Sequence, residues 1–482
     1  MTDEVKVKIG VDNFTKDQAA AYKNLIEFIN APYNPNDYKR ALVGAAGTGK
    51  TYLVKALIQN CRLSNSLIGL AAPTHKACRV LHDAIGLPNI KVNTLQSDLG
   101  LRLNFDIDKF DIANPPFDPK GKIKIEKYQI YIVDEASMIN RGLAMFLENT
   151  CKEHSCKILM IGDDSQLNPV GERYSSAFRG IKLFKLTEIV RQGEDNPISK
   201  LLELLRFDIK FKTTKFLETI AKYRNQFNAD NTKGFLVCDK KTFEEEVYRH
   251  FQDDELKENV DFSKVIAYTN NAVSGWNKFI RNAIIKDADK AVLTKNDLLI
   301  SYTTLVDTFN QCIIKNSEDY ILKDITNYAH PRYNIKGFMV RLIAIHGGDI
   351  TKPLFIVDHK DKESVFNYVR ISRKLINDAK TAPTRLKAEK WKAYYDFKDK
   401  CLLLTNIINA GTGNVEFARN LDYGFSLTAH KAQGSTFDTV LVDVNDIVFD
   451  RYGRQYTNLD ELNRRLYVAC SRCRNKLYML YG

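Results

Sequence analysis

Nowhere in the 482 residues does an apolar run approach the roughly 18 residues that a membrane-spanning helix requires, so no such span is expected. The opening MTDEVKVKIG carries acids and no apolar stretch, and neither a secretory signal nor a transit peptide is expected from it. Cysteine is sparse and unpatterned. The nine are odd in number and scattered; Cys470 and Cys473 form one CxxC, and Cys151 and Cys156 flank His154, but neither group completes a four-ligand set. Reduced cytosolic thiols are therefore expected, with neither a disulfide framework nor zinc or redox chemistry, and a cytoplasmic location follows as the expectation. Internal repeats and low-complexity tracts are missing. No carboxylate cluster beyond the acids discussed below offers a metal-dependent nuclease site.

What is abundant is positive charge. Seventy-one Lys and Arg against 59 Asp and Glu leave a formal charge of +12 and a pI near 9.0, which favours a polyanionic partner without choosing nucleic acid over an anionic membrane. The length exceeds what a single hydrophobic core organises, so several domains are expected. Apolar, β-prone runs recur and end in small or polar residues: RALVGAAG, SLIGLAAPT, YQIYIVDEA, KILMIGDDS, VIAYTN, TVLVDV and KLYMLYG. Several are followed by helical patterns such as TYLVKALIQN. This alternation predicts an α/β fold with parallel sheets covered on both faces, whose ligands sit beyond the carboxyl ends of the strands.

Two regions break the alternation. Residues 99–126 run from LGLRLNF to KIKIEK around the turn NPPFDPKG, which suggests a β-hairpin inserted before a core strand. Its prolines and turn pairs make a stiff surface loop, and Phe117 is a large ring left where the chain can hardly bury it. Residues 297–404 mix short strands such as FMVRLIAIH and PLFIVDH with a basic stretch from Arg370 to Lys400. That stretch holds ten Lys or Arg against four Asp or Glu, with Trp391, Tyr394, Tyr395 and Phe397 interleaved. A solvated basic helix and a direct nucleic-acid contact fit this composition equally well.

GAAGTGKT, residues 44–51, fits the P-loop pattern between a predicted strand and a predicted helix. In such a loop the backbone of Gly44, Ala45, Ala46, Gly47, Thr48 and Gly49 cradles phosphates at a helix N-terminus. Lys50 supplies charge to the β/γ-phosphates and Thr51 a hydroxyl to Mg²⁺. The strand YQIYIV ends in Asp134 and Glu135, which makes Asp134 the candidate Mg²⁺ partner and Glu135 the candidate base for water attack. This pairing points to NTP hydrolysis with Mg²⁺ and leaves its use open, since kinases, motors and switches share it.

The segments FTKDQ (14–18), AAPTHKA (71–77), TLQS (94–97), GDDSQLNPV (162–170), LTEIVRQ (186–192), VIAYTNNAV (265–273), LTAHKAQGSTF (427–437) and RLYVACSR (465–472) occur in the order of the motifs of superfamily 1 helicases. They most resemble the Dda type of tailed phages within the RecD-like group, as do WKAYYDFKDK and IVDHKDK, and the resemblance covers nearly the whole chain. It implies two RecA-like domains, the first over 1–190 with the inserted pin at about 99–126, the second over 191–296 and 405–482, and an SH3-like and tower insertion over 297–404. It implies that Gln18 reads adenine, a task its amide suits, where it would otherwise be a surface helix residue. Gly434 joins the ATP-binding set. Gln166 senses the γ-phosphate and relays its presence to the DNA contacts; for Asp163 and Asp164 a role only as loop acids stays open. Arg191 and Arg472 reach for the transferred phosphate, a role the planar guanidinium fits.

For nucleic acid the resemblance points to Pro73, Thr74, His75, Thr94, Thr269, Asn270, Thr428, His430 and Ser435 as backbone contacts. It makes Trp391 and Tyr394 part of a tower bracing the pin, and Phe117 the ring that stacks at the junction, with Phe110 second. The implied activity is ATP-driven 5′-to-3′ movement on single-stranded DNA with unwinding of forked duplex by a monomer. Single-strand-binding and replication or recombination proteins are the implied associates, and the location becomes the bacterial host cytoplasm if the chain is phage-encoded. A protein-displacing translocase, a nucleotide-dependent clamp and an RNA helicase stay as alternatives.

Overall fold

The strands Lys39–Gly44 and Lys157–Gly162 read as unbroken apolar runs because both faces of their sheet are covered: residues 40–44 and 157–162 are all buried. The computed structural model describes residues 10–87, 89–101, 122–169, 171–172, 174–188, 190, 196–307 and 311–482. In it these two strands are neighbours in register, Ala41 opposite Met160 and Leu42 opposite Ile161. Their sheet has six strands, all parallel, in the order Val92–Thr94, Ile68–Ala72, Ile130–Val133, Lys157–Gly162, Lys39–Gly44 and Lys182–Leu186. Side chains alternate across it. Tyr131, Val133, Ile158 and Met160 pack with Leu143 and Leu147 on one face, while Ile130, Ile132, Leu159 and Ile161 pack with Leu25, Leu53 and Leu57 on the other. Each fully buried leucine contributes about 1.5–3 kcal/mol.

The chain divides into two compact units. One comprises residues up to 246, 261–272 and 428–482 and holds the sheet just described together with a second. In the second, Ser263–Ala267, Phe437–Asp443, Cys473–Leu480 and Gly234–Cys238 run parallel, and Asn225–Phe227 closes the edge antiparallel. The α/β reading with doubly covered parallel sheets is thus observed, and all seven apolar runs noted in the sequence are strands. Among the described residues of this unit, four further strands escape the sequence reading: Val92–Thr94, Lys182–Leu186, Asn225–Phe227 and Gly234–Cys238.

The other unit comprises 247–260 and 273–427. Its five-stranded antiparallel sheet runs Leu354–Val357, Ile335–Ala344, Asp319–His330, Leu298–Ser301, Leu421–Tyr423. The basic stretch is two helices, Lys362–Thr381 and Thr384–Lys400, not one. Pro383 lacks an N–H and pushes Ala382 out of helical geometry, which breaks the run there. Phe397 is the buried anchor of the second helix, with Tyr333 edge-on at 4.8 Å and Tyr368 at 5.2 Å. Of the expected hairpin, residues 102–121 lie outside the described residues; Ile125–Lys127 on its exit side form a 3₁₀ turn. Among the described residues no helix is long and apolar enough to cross a membrane.

Candidate active site

In a parallel sheet every strand delivers its next residues to one edge. Here that edge receives Gly44–Thr51, Pro73–His75, Asp134–Glu135 and Asp163–Gln166. The first loop needs its glycines. Gly47 and Gly49 have φ of 85° and 78°, a Cβ on Gly49 would lie 2.5 Å from Gln18 Nε2, and one on Gly44 would lie 2.6 Å from Thr48 Oγ1. Thr48 is buried and its hydroxyl donates to the Ala45 carbonyl at 2.9 Å, which folds the loop on itself, while Ala46 stays exposed. Lys50 and Thr51 begin the helix Lys50–Asn60, and Lys50 Nζ donates to the carbonyls of Gly44 (2.6 Å) and Ala45 (3.0 Å). An eleven-residue helix opening behind this loop gives an N-terminus suited to an anion.

Gln18 is buried against the same loop. It completes a capping box with Thr15 for the helix Lys16–Asn30, its Oε1 accepting from Thr15 N–H at 3.1 Å. Its Nε2 donates to the Thr48 carbonyl at 3.0 Å. The amide keeps one further N–H and one further lone pair beyond these contacts.

Asp134 and Glu135 follow the strand Ile130–Val133. Asp134 Oδ1 accepts the Glu135 N–H at 2.9 Å, and Glu135 adopts φ 50°, a left-handed conformation that strains a residue with a side chain. Burial raises the Asp134 pKa, opposed by the Glu135 N–H and the Lys50 ammonium. Glu135 is pushed up to about 7, by burial first and by the neighbouring Asp134 charge second, with Arg472 and Lys50 pulling it back. Its Oε2 is buried without a hydrogen-bond partner among the described residues. An orphaned acceptor of this kind is costly in a plain structural role. Thr51 and Asp134 offer the hard oxygen donors that Mg²⁺ prefers. Among the described residues no set of three or more His, Cys, Asp or Glu is placed to hold a metal alone, which suits an ion that arrives with phosphates.

The second sheet closes on this edge. Gly434, at φ 72°, brings its Cα so near that a Cβ would meet Ala77 Cβ at 3.5 Å and Glu135 Cγ at 3.9 Å. Arg472 caps the helix Leu459–Ser471, donates to the carbonyls of Val468 (3.1 Å) and Ser435 (3.2 Å), and is buried. Gln166 is buried, with Gln433 Nε2 at 3.5 Å from its Oε1. Asp163 does more than a loop acid: it accepts from Tyr467 OH at 2.7 Å and from Ser165 N–H at 2.9 Å. Asp164 pairs with Lys185 at 2.6 Å. Sequence reasoning missed Arg464, whose Nη1 donates to the carbonyls of Asp164 (2.6 Å) and Gln166 (2.9 Å) from the second sheet's helix. The only signal was its place beside RLYVACSR.

Two of the expected nucleic-acid threonines are helix caps, Thr74 accepting from Ala77 N–H (3.2 Å) and Thr94 from Ser97 N–H (3.4 Å), and Thr428 closes a turn by accepting from Lys431 N–H (3.2 Å). Thr74 and Thr94 stand at the carboxyl edge of the first sheet. Pro73 and Ser435 are buried, His75 is half-buried and Asn270 exposed. Thr269 is committed to Asp446, which its N–H and hydroxyl both reach at 2.7 Å. His430 lies 6.3 Å from the Tyr268 ring, and burial, then the Arg465 charge, lowers its pKa against the pull of Glu461. Trp391 and Tyr394 belong to the other unit, where they cluster with Tyr395 at 5.4–6.0 Å on the helix Thr384–Lys400. Phe110, Phe117 and Arg191 lie outside the described residues.

Residues 14–223 match the family described as AAA domain. The chain is 23% identical to uncharacterized protein R530 of Acanthamoeba polyphaga mimivirus, over 96% of this chain and 98% of that one. It is 27% identical to the ATP-dependent DNA helicase dda of Enterobacteria phage T4 over 62% of this chain and 63% of the phage protein. With the ATP-dependent RecD2 DNA helicase of Deinococcus radiodurans it shares 30% identity over 33% of this chain and 20% of the other.

Proposed function

We propose that this chain is an ATP-driven DNA helicase of the superfamily 1 Dda and RecD-like group that moves 5′ to 3′ on a single strand and parts the duplex ahead. One observation carries the reading: the P-loop edge of the first sheet, with Asp134 and Glu135, is faced at contact distance by Gly434 and shares its electrostatics with Arg472 of the second. A nucleotide held there touches two sheets, so its arrival and departure alter how they meet.

The roles follow from the geometry. The loop 44–51 and the helix behind it bind the phosphates, and Lys50 leaves the carbonyls of Gly44 and Ala45 for the β/γ-phosphates. Thr51 and Asp134 would hold Mg²⁺, which supplies charge neutralisation at those phosphates. Glu135 accepts the proton of the attacking water through its unpartnered oxygen. Arg472 offsets charge on the transferred group, with Arg191 assigned the same task on the sequence pattern. Gln166 lies where Arg464 and Gln433 grip its backbone and side chain, so occupancy at the γ-phosphate is felt by the second sheet. The caps at Thr74 and Thr94 and the turn at Thr428 hold the phosphodiester track, Gln18 reads the base, and Phe117 is assigned to strand separation.

The test compares wild type with Lys50→Ala and Glu135→Gln for ATPase with and without a long single strand, and for unwinding of forks with 5′ tails, 3′ tails and RNA tails. Both variants should lose stimulated turnover by roughly 10²-fold or more while still binding the strand. Unwinding of 5′-tailed DNA alone supports the reading. Full unwinding by Lys50→Ala, or wild-type turnover indifferent to single strands, overturns it.

A further inference from the structure

Arg465 is the anomaly of the second sheet. Its guanidinium is 3.6 Å from the centroid of the Tyr268 ring and 4.9 Å from that of Tyr456, and one terminal nitrogen pairs with Glu461. Only 6% of the residue is exposed, yet Nε and Nη1 have no hydrogen-bond partner among the described residues. A charge buried for stability alone would satisfy those donors, because leaving them bare is expensive. The side chain is kept for its stacking position.

Both ends of that position matter. Tyr268 and Thr269 form the corner after the strand Ser263–Ala267, held by three hydrogen bonds to Asp446. His430 stands beside the same ring, and this corner is among the surfaces assigned to the nucleic-acid track. At the other end, Arg465 sits on the helix Leu459–Ser471. That helix also carries Arg464 to Asp164 and Gln166, Tyr467 to Asp163, and Arg472 towards Glu135. Arg465 and Arg472 are seven residues apart, two helical turns or about 10 Å. A stack on Tyr268 therefore fastens the track-facing corner to the rod that reaches the nucleotide.

We infer that Arg465 is a positioning residue that couples engagement of single-stranded nucleic acid at the Tyr268–Thr269 corner to ATP turnover. It touches neither ligand; it transmits through Tyr268 on one side and the helix Leu459–Ser471 on the other. The inference rests on the helicase reading above and deepens it. Stacking, not charge alone, does the work, and lysine would not replace the planar guanidinium.

The experiment measures ATPase without nucleic acid, ATPase at saturating oligo(dT), and oligo(dT) affinity by fluorescence polarisation, for Arg465→Met, Arg465→Lys, Tyr268→Leu and the Arg465→Met/Tyr268→Leu double variant. For Arg465→Met, unstimulated ATPase should stay within about two-fold of wild type and affinity within about three-fold, while maximal stimulation falls at least about ten-fold; Tyr268→Leu, at the corner itself, serves only as the partner arm of the stimulation cycle. Arg465→Lys should behave like Arg465→Met, and the double variant should lose little more than either single one. Equal loss of unstimulated and stimulated turnover overturns the inference, as does a loss confined to affinity or full stimulation in Arg465→Lys. A wild type that single strands do not stimulate removes the underlying reading instead, and the two failures are told apart in one data set.

Discussion

Glu135 concentrates opposing demands on one residue: a left-handed backbone, a carboxylate next to another carboxylate, and an oxygen without a hydrogen-bond partner among the described residues. Its pKa near 7 gives the catalytic pH dependence a sign. The base form is lost as pH falls through about 7, so kcat/KM for ATP should drop on the acid side of a profile measured from pH 5.5 to 8.5. Stability runs the other way. A carboxyl whose folded pKa lies above its unfolded value near 4.5 binds its proton more tightly when folded, so its contribution worsens as pH rises from about 4.5 to about 7. Glu135→Gln should consequently raise the unfolding free energy by on the order of 1 kcal/mol at pH 8 and by little at pH 5 in urea titrations. At this scale the sequence was legible where the chemistry is contiguous, as in residues 44–51 and 134–135. It was silent on Tyr467 with Asp163 and on Arg464 with Gln166, since about 300 residues separate the partners and only folding makes them neighbours.

Elements were legible in proportion to their burial. The strand Ile130–Val133, covered on both faces, is an apolar run that could be little else. Lys182–Leu186 lies at the sheet edge with only Leu186 fully buried, so its lysines disguise it, and Val92–Thr94 is too short to carry a period. The end of the helix Lys16–Asn30 was equally invisible, because its cap comes from a strand far along the chain. Lys157 Nζ, buried, donates to the carbonyls of Phe28 (3.0 Å), Ile29 (2.6 Å) and Ala31, and its ammonium meets the negative end of the helix dipole. Lys157→Met would keep the length and strip the donors. We expect it to cost about 2–3 kcal/mol, read as a lower urea midpoint at unchanged m-value.

For the whole molecule, the excess of +12 was legible from composition, but which surface uses it was not. If phosphodiester contacts at the caps carry the grip, the logarithm of oligo(dT) affinity should fall linearly with the logarithm of salt, by about 0.7 per neutralised phosphate. A titration from 50 to 300 mM salt, flat to within error, would place the affinity elsewhere. The two-unit division was only partly legible: the sequence marked 297–404 as foreign to the αβ rhythm, whereas the compact unit there also takes in 247–260, 273–296 and 405–427. Those flanks carry helical and strand patterns of their own, and nothing local says which core they join.

Gln18 ties a final knot. One amide completes the cap of the helix Lys16–Asn30 and also holds the Thr48 carbonyl of the phosphate loop. Fraying of the first turn of that helix therefore releases the loop, and a loop pulled out of shape uncaps the helix. We expect the two to open locally as a single patch, with amide protons that exchange with solvent together, and slow together when the loop is filled, in a hydrogen-exchange measurement.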